Sequence, residues 1–147
     1  MTSPQTQPLD RKKVWALYLA LLAGLLSVAG VFGLLFFLGN APMAPELRTT
    51  PVPWVVALLG GTSVVMGWAW ARPQVPLRPA SQTTEGYWQE PVNLGKALLL
   101  WVLWEGSGII GAVGTLVTGS LVTGALTAVA LALLLTHSPD FLEGRTS

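Results

Sequence analysis

Between Ala97 and Thr136 the chain carries a single formal charge, the carboxylate of Glu105, in otherwise apolar sequence. One helix of that length would run ~60 Å, twice the ~30 Å hydrocarbon layer of a bilayer. The stretch must therefore turn back on itself, and its only punctuation is Val117-Thr118-Gly119-Ser120. This predicts a helix over residues 96–117, a tight turn, and a second helix over residues 121–136. Glu105 lies ~13 Å along the first of these from Lys96, which places it close to mid-membrane if Lys96 marks an interface. An ionisable group at that depth costs about 2.5–3.5 kcal/mol on insertion scales, and it is expected to face protein or water rather than lipid.

Composition agrees with this reading. Only 10% of the 147 residues are charged and 52% are hydrophobic, against ~25% charged in soluble domains. So few charges cannot clothe a soluble surface, and the chain is expected to be an integral protein of the inner (plasma) membrane, with the lipid bilayer as its first partner. A net charge of +1 offers no polybasic surface, so no nucleic-acid partner is expected. The chain has no cysteine and one histidine, His137. That is no ligand set for a metal, and no cofactor is expected. Neither His-Glu-x-x-His nor Gly-x-Ser-x-Gly occurs, and no second acid stands near Glu105 to form a dyad. The sequence reads as that of a non-enzyme.

Two further crossings precede the long stretch. Residues 1–13 read as a polar tail ending in Arg11-Lys12-Lys13, and an uncharged run follows over residues 14–38. That run exceeds the ~7–15-residue core of a signal peptide and reads as a retained helix. Trp15 and Tyr18 at its start, with Phe36 and Phe37 near its end, suit an aromatic belt. Residues 39–53 contain four prolines and read as a loop. A second helix is predicted over residues 54–71, ending at Arg72-Pro73 because proline disfavours helix in the residue before it. Residues 74–92 form the longest polar connection, in which Gly86-Tyr87-Trp88 is expected to lie along the headgroups. Ser138-Pro139 stops the last helix, and residues 138–147 read as a tail. The fold expected is an all-α, four-helix transmembrane bundle of two helical hairpins, one domain over residues 14–137. With both termini cytoplasmic, every basic residue except Arg48 lies inside, as the positive-inside rule requires.

Helices in lipid associate through close backbone approach at small residues. Each predicted helix offers such a seam: Ala16, Ala20 and Gly24; Ala57 with Gly61 and Ser63 with Gly67; Ser107, Gly111 and Thr115; Gly124, Ala128 and Ala132. These seams either hold one bundle together or leave one free for a second copy or a membrane-complex partner. Shifted by 81 residues, the first helix overlays the third at Ala16/Ala97, Leu22/Leu103, Gly30/Gly111 and Gly33/Gly114, a pattern a parallel duplication would leave. In that register Gly24 stands where Glu105 stands. Trp101 shares a helical face with Glu105, Trp104 precedes it, and Ser107 follows two residues on. An indole N–H or the Ser107 hydroxyl is expected to hydrogen-bond the carboxyl, which would reduce the cost of burying it.

The segment Ala97 to Gly119 with the helix after it resembles small four-helix bacterial membrane proteins of unassigned function, which share an acid followed by glycine and a Thr-Gly turn. That resemblance implies a fold and no activity. Gly60, Gly61 and Gly67, then Ala71-Arg72-Pro73-Gln74, then Glu105 are similar to the proteolipid c subunit of rotary ATP synthases. This second resemblance implies that Glu105 would carry a proton. Small multidrug transporters also pair four short helices with one embedded glutamate, although there the acid lies in the first helix. Two functional readings follow: a non-catalytic structural or accessory membrane protein, and a proton- or cation-coupled component working through Glu105.

Overall fold

The computed structural model describes residues 10–146. Its helices are α1 (Arg11–Phe37), α2 (Val52–Gln74), α3 (Thr84–Gln89), α4 (Pro91–Thr118), α5 (Leu121–Thr136) and α6 (Pro139–Glu143). Helices α1, α2 and α4 are long and apolar enough to cross a membrane, and α5 is a shorter apolar helix.

Each boundary has a local cause. Asp10 caps α1 by accepting from the Lys12 amide at 3.3 Å, so the helix starts at Arg11 and takes in three residues read as tail. The first nine residues of that tail lie outside the described residues. Helix α2 does not stop at residue 71; it continues through Arg72-Pro73 to Gln74. Its Gly67–Ala71 segment widens into a π turn, in which the Arg72 amide donates to the Gly67 carbonyl. A proline ring clashes with the carbonyl four residues back, here that of Ala69, and the wider turn absorbs the misfit. Helix α4 begins at Pro91 rather than near Lys96, since proline at a first helical turn loses no needed donor. The turn into α5 falls where expected: Gly119 takes the left-handed conformation (φ 66°) and Ser120 caps α5.

Helix α4 is the axle. Half of its apolar window is buried, against 11% for α1 and 17% for α2. Helices α1, α2 and α5 each pack on α4, and α1 and α2 do not pair with each other as the first predicted hairpin. Helix α1 runs parallel to α4 and in step with it: Tyr18 packs on Trp101 at 5.2 Å between rings, and further along Gly24 meets Glu105. Towards the Gly119 end α1 leans away. It leaves a groove of about 210 Å³ lined by Ala29, Gly33 and Phe36 on one side and Ala112, Thr115 and Gly124 on the other.

Several seams lie elsewhere than sequence spacing suggests. Helix α1 packs through Val14, Tyr18 and Leu25, while Ala16 and Ala20 are exposed. Of the adjacent pair on α2 the packed glycine is Gly60, seated against Leu126 and the Ser107 carbonyl; a side chain at Gly61 would meet nothing within 4 Å. On α5 the buried stripe is Thr123, Leu126, Thr127, Ala130 and Leu134, and Ala128 and Ala132 face outward. Large residues carry these contacts because dispersion grows with the atoms brought into touch, and small residues matter only where a bulky neighbour needs a notch.

The connection after α2 and the C-terminal segment are folded parts of the domain. Tyr87 and Trp88 are fully buried instead of lying along headgroups. Helix α6 packs back with Leu142 and Glu143 buried, so the residues read as a tail close the His137 end of the bundle.

Candidate functional site

Glu105 lies midway along α4, half-buried, on the side that faces α1. A Cβ at position 24 would stand 3.0 Å from its Oε1, so Gly24 provides the notch in which the carboxyl sits. Among the described residues no side chain or backbone group hydrogen-bonds that carboxyl. The donors expected to serve it are engaged elsewhere. Trp101 Nε1 donates to the His137 carbonyl at 2.8 Å, and Ser107 Oγ donates to the Gly60 carbonyl at 2.8 Å. Trp104 Nε1 points to the Val64 carbonyl at 3.4 Å. Carbonyls of other segments draw these donors away. Trp104, Ser107 and Gly111 lie on the buried side of α4 turned towards α2 and α5, whereas Trp101 packs on Tyr18 of α1, the helix that Glu105 also faces, with its N–H turned to the end of α5.

Three further threonine contacts tie hydroxyls to carbonyls or to each other. Thr127 Oγ1 donates to the Gly108 carbonyl at 3.0 Å, which ties α5 to α4. Thr62 donates back to the Leu58 carbonyl at 2.7 Å within its own helix. Thr115 and Thr123 meet at 3.0 Å between α4 and α5. The packing glycines serve these contacts. Gly67 faces the indole of Trp104, Gly111 faces Thr127 and the Thr123 carbonyl, and Gly124 lies at ordinary contact distance from Thr115.

A second concentration of polar groups lies at the His137 end. Glu143, 4% exposed, accepts from both Arg11 and Trp88; Arg11 Nε stands 3.0 Å from Oε1, and Trp88 Nε1 stands 2.6 Å from Oε2. Arg11 also reaches Asp140 at 2.6 Å. Arg78 Nε donates to the Glu143 carbonyl at 2.8 Å, and its side chain also holds the Gln82 carbonyl. One buried acid thus joins the start of α1, the connection before α3, and α6. Beside it His137 is packed by Trp104 and Phe141, each at 4.8 Å between rings, and by Trp68 at 5.7 Å. Burial holds the imidazole below its ordinary pKa; the Leu133 carbonyl opposes this, and the positive charges of Arg72 and Arg145 reinforce it.

Sequence spacing marked the Glu105 region and passed over the second cluster. Part of that cluster was legible. Ser138 caps α6 by accepting from the Phe141 amide at 3.4 Å, with Pro139 at the first helical position and Asp140 in the first turn, a helix-start pattern. Nothing local marks Glu143 as the partner of an arginine 132 residues away. The chain matches no family model, no curated protein and no solved structure.

Proposed function

We propose that this chain is a small polytopic integral membrane protein without catalytic activity, with four crossings and both termini cytoplasmic, serving as a structural or accessory element of a membrane assembly. The observation that carries the reading is the engagement of three polar side chains of the apolar helices. Trp101, Ser107 and Thr127 donate to backbone carbonyls of neighbouring segments. Polar side chains joined in this way hold helices to one another, and each such bond in a membrane contributes about 0.6–2 kcal/mol. Helix α5, at ~24 Å, crosses only with help from the polar segment that follows it. In the proposed orientation Arg11, Arg72, Arg78 and Arg145 face the cytoplasm and Arg48 faces outward.

A second reading, proton or cation coupling through Glu105, is favoured by the free carboxyl on the α1 side of α4. Flux separates the two. In liposomes the protein and its Glu105→Gln variant are compared for proton and monovalent-cation leak under an imposed gradient. The accessory reading expects no flux above protein-free vesicles from either. Flux carried by the native protein and abolished in the variant would overturn it in favour of the second.

A further inference from the structure

The N-terminal end of α1 borders an open cavity of about 450 Å³, within the ~300–1,000 Å³ range of small-molecule sites. Four charged side chains stand around its rim: Asp10, Arg11 and Lys12 at the start of α1, and Glu85 on α3. Its floor is apolar, made by Trp15, Ala16 and Leu19. Lys12, Trp15, Ala16 and Leu19 fall at the i, i+3, i+4 and i+7 spacing of one helical face. The cavity therefore runs about 10 Å along α1, from charged groups to apolar ones.

Both walls are held in place. Glu143 accepts from Arg11 of α1 at 3.0 Å and from Trp88 of α3 at 2.6 Å, and Trp88 lies one turn after Glu85. Thr83 caps α3 by accepting from the Gly86 amide at 3.1 Å. Trp15 packs edge-on against the buried Tyr18, 5.6 Å between rings. The rim charges are unequally committed. Arg11 is engaged by Glu143 and Asp140. Asp10 uses Oδ1 to accept from the Lys12 amide and keeps Oδ2. Among the described residues neither Lys12 nor Glu85 has an oppositely charged group within 4 Å. The charges left for a ligand are one ammonium and two carboxylates, set above an apolar floor.

We propose that this cavity binds phosphatidylethanolamine, with Lys12 on the phosphate, Glu85 and Asp10 on the ammonium, and the first part of an acyl chain over Trp15, Ala16 and Leu19. A headgroup with only negative charge would meet two carboxylates against one ammonium, a net repulsion. A choline headgroup balances the charge but has no N–H to donate, whereas the ethanolamine ammonium donates charge-assisted hydrogen bonds to carboxylates. The floor favours a lipid over soluble phosphoethanolamine, because Ala16 and Leu19 are exposed and only an apolar neighbour relieves that exposure. Depth agrees, since the charged rim stands directly above Trp15 and tryptophan suits the headgroup level. The site rests on the membrane placement proposed above for α1, and it is indifferent to an accessory or a coupling role.

The test places the full chain in nanodiscs of mixed phosphatidylethanolamine, phosphatidylcholine and phosphatidylglycerol and reads the retained lipids by native mass spectrometry. Recovery of the chain in discs reports membrane insertion alone; which lipid it keeps reports the site. The expected result is retention of phosphatidylethanolamine about fivefold above phosphatidylcholine, the worth of roughly one net hydrogen bond. Glu85→Gln should remove most of that preference, and Lys12→Gln should weaken retention of all three lipids alike. Lys13→Gln, adjacent and exposed but outside the cavity, should change neither. Positions 12, 13 and 85 are all exposed, and the comparison of lipids on the native chain needs no variant to fold. Equal retention of phosphatidylethanolamine and phosphatidylcholine would overturn the proposal, as would a preference for phosphatidylglycerol or a preference untouched by Glu85→Gln. Displacement of the lipid by an equal concentration of soluble phosphoethanolamine would overturn the lipid as ligand.

Discussion

The carboxyl of Glu105 rests in a notch made by Gly24: a Cβ on α1 at that position would stand 3.0 Å from Oε1. The two positions are the same ones that the 81-residue shift superimposes, and α1 and α4 run parallel and in step. A parallel duplication would bring such positions together, but it would also pair α1 with α2, and only α4 and α5 form a hairpin.

A bulky residue at position 24 should therefore push α1 off the axle. Gly24→Leu is expected to destabilise by about 1–3 kcal/mol, the usual result of overpacking. Adding Glu105→Ala should recover most of the loss by emptying the space. Denaturation in mixed micelles, run as a double-mutant cycle, reads the coupling; additive losses would mean the two positions do not touch.

The two glycines of α2 should behave oppositely. Gly67→Ala forces a methyl group into the rigid indole of Trp104 and should cost about 1–3 kcal/mol. Gly61→Ala meets nothing within 4 Å, and it should be neutral or stabilise by up to about 1 kcal/mol through the better helix propensity of alanine. Thermal unfolding of both variants in one detergent decides the order.

How far the sequence revealed these features depends on the range of the forces involved. The turn at Gly119 rests on local signals and stands where spacing places it, and the apolar spans are recognisable while their ends shift by up to five residues. Which glycine of the Gly60-Gly61 pair packs depends on the rotation of α2 about its axis, and Leu126 sets that from another helix. The passage of α2 through Pro73 depends on a π turn that no local preference announces. Glu105 was conspicuous for its charge, but the orientation of Trp101 and Ser107 away from it follows from the distant carbonyls of His137 and Gly60. Glu143 looked like a tail residue because its partners come from three other segments.

Glu143 and Asp140 both meet Arg11, yet they should differ sharply in weight. The Glu143 side chain is 5% exposed and that of Asp140 is 58% exposed. Glu143→Ala leaves the buried Trp88 N–H without its acceptor and Arg11 with Asp140 alone, and should cost about 1–3 kcal/mol. Asp140→Ala should cost no more than about 1 kcal/mol. Limited proteolysis at the His137 end gives an independent readout, with faster cleavage expected only in Glu143→Ala.

Acid should weaken the same end of the bundle. His137 has a folded pKa below its ordinary value of 6.5, so its contribution to stability is fully present above 6.5 and is lost as pH falls towards the folded value. In detergent free of anionic lipid, melting temperature should decline below about pH 6.5. His137→Gln, which cannot titrate, should flatten that part of the profile. Identical profiles for the two proteins would remove His137 as the cause.

The most direct measurement is disulfide trapping in native membranes, which suits a chain with no cysteine of its own. Gly24→Cys combined with Glu105→Cys should cross-link rapidly under copper–phenanthroline, and Gly61→Cys combined with Glu105→Cys should not. A cross-link at 24–105 alone places the acid of the third crossing against the first. Its absence, or equal cross-linking from position 61, would contradict the arrangement of helices around α4.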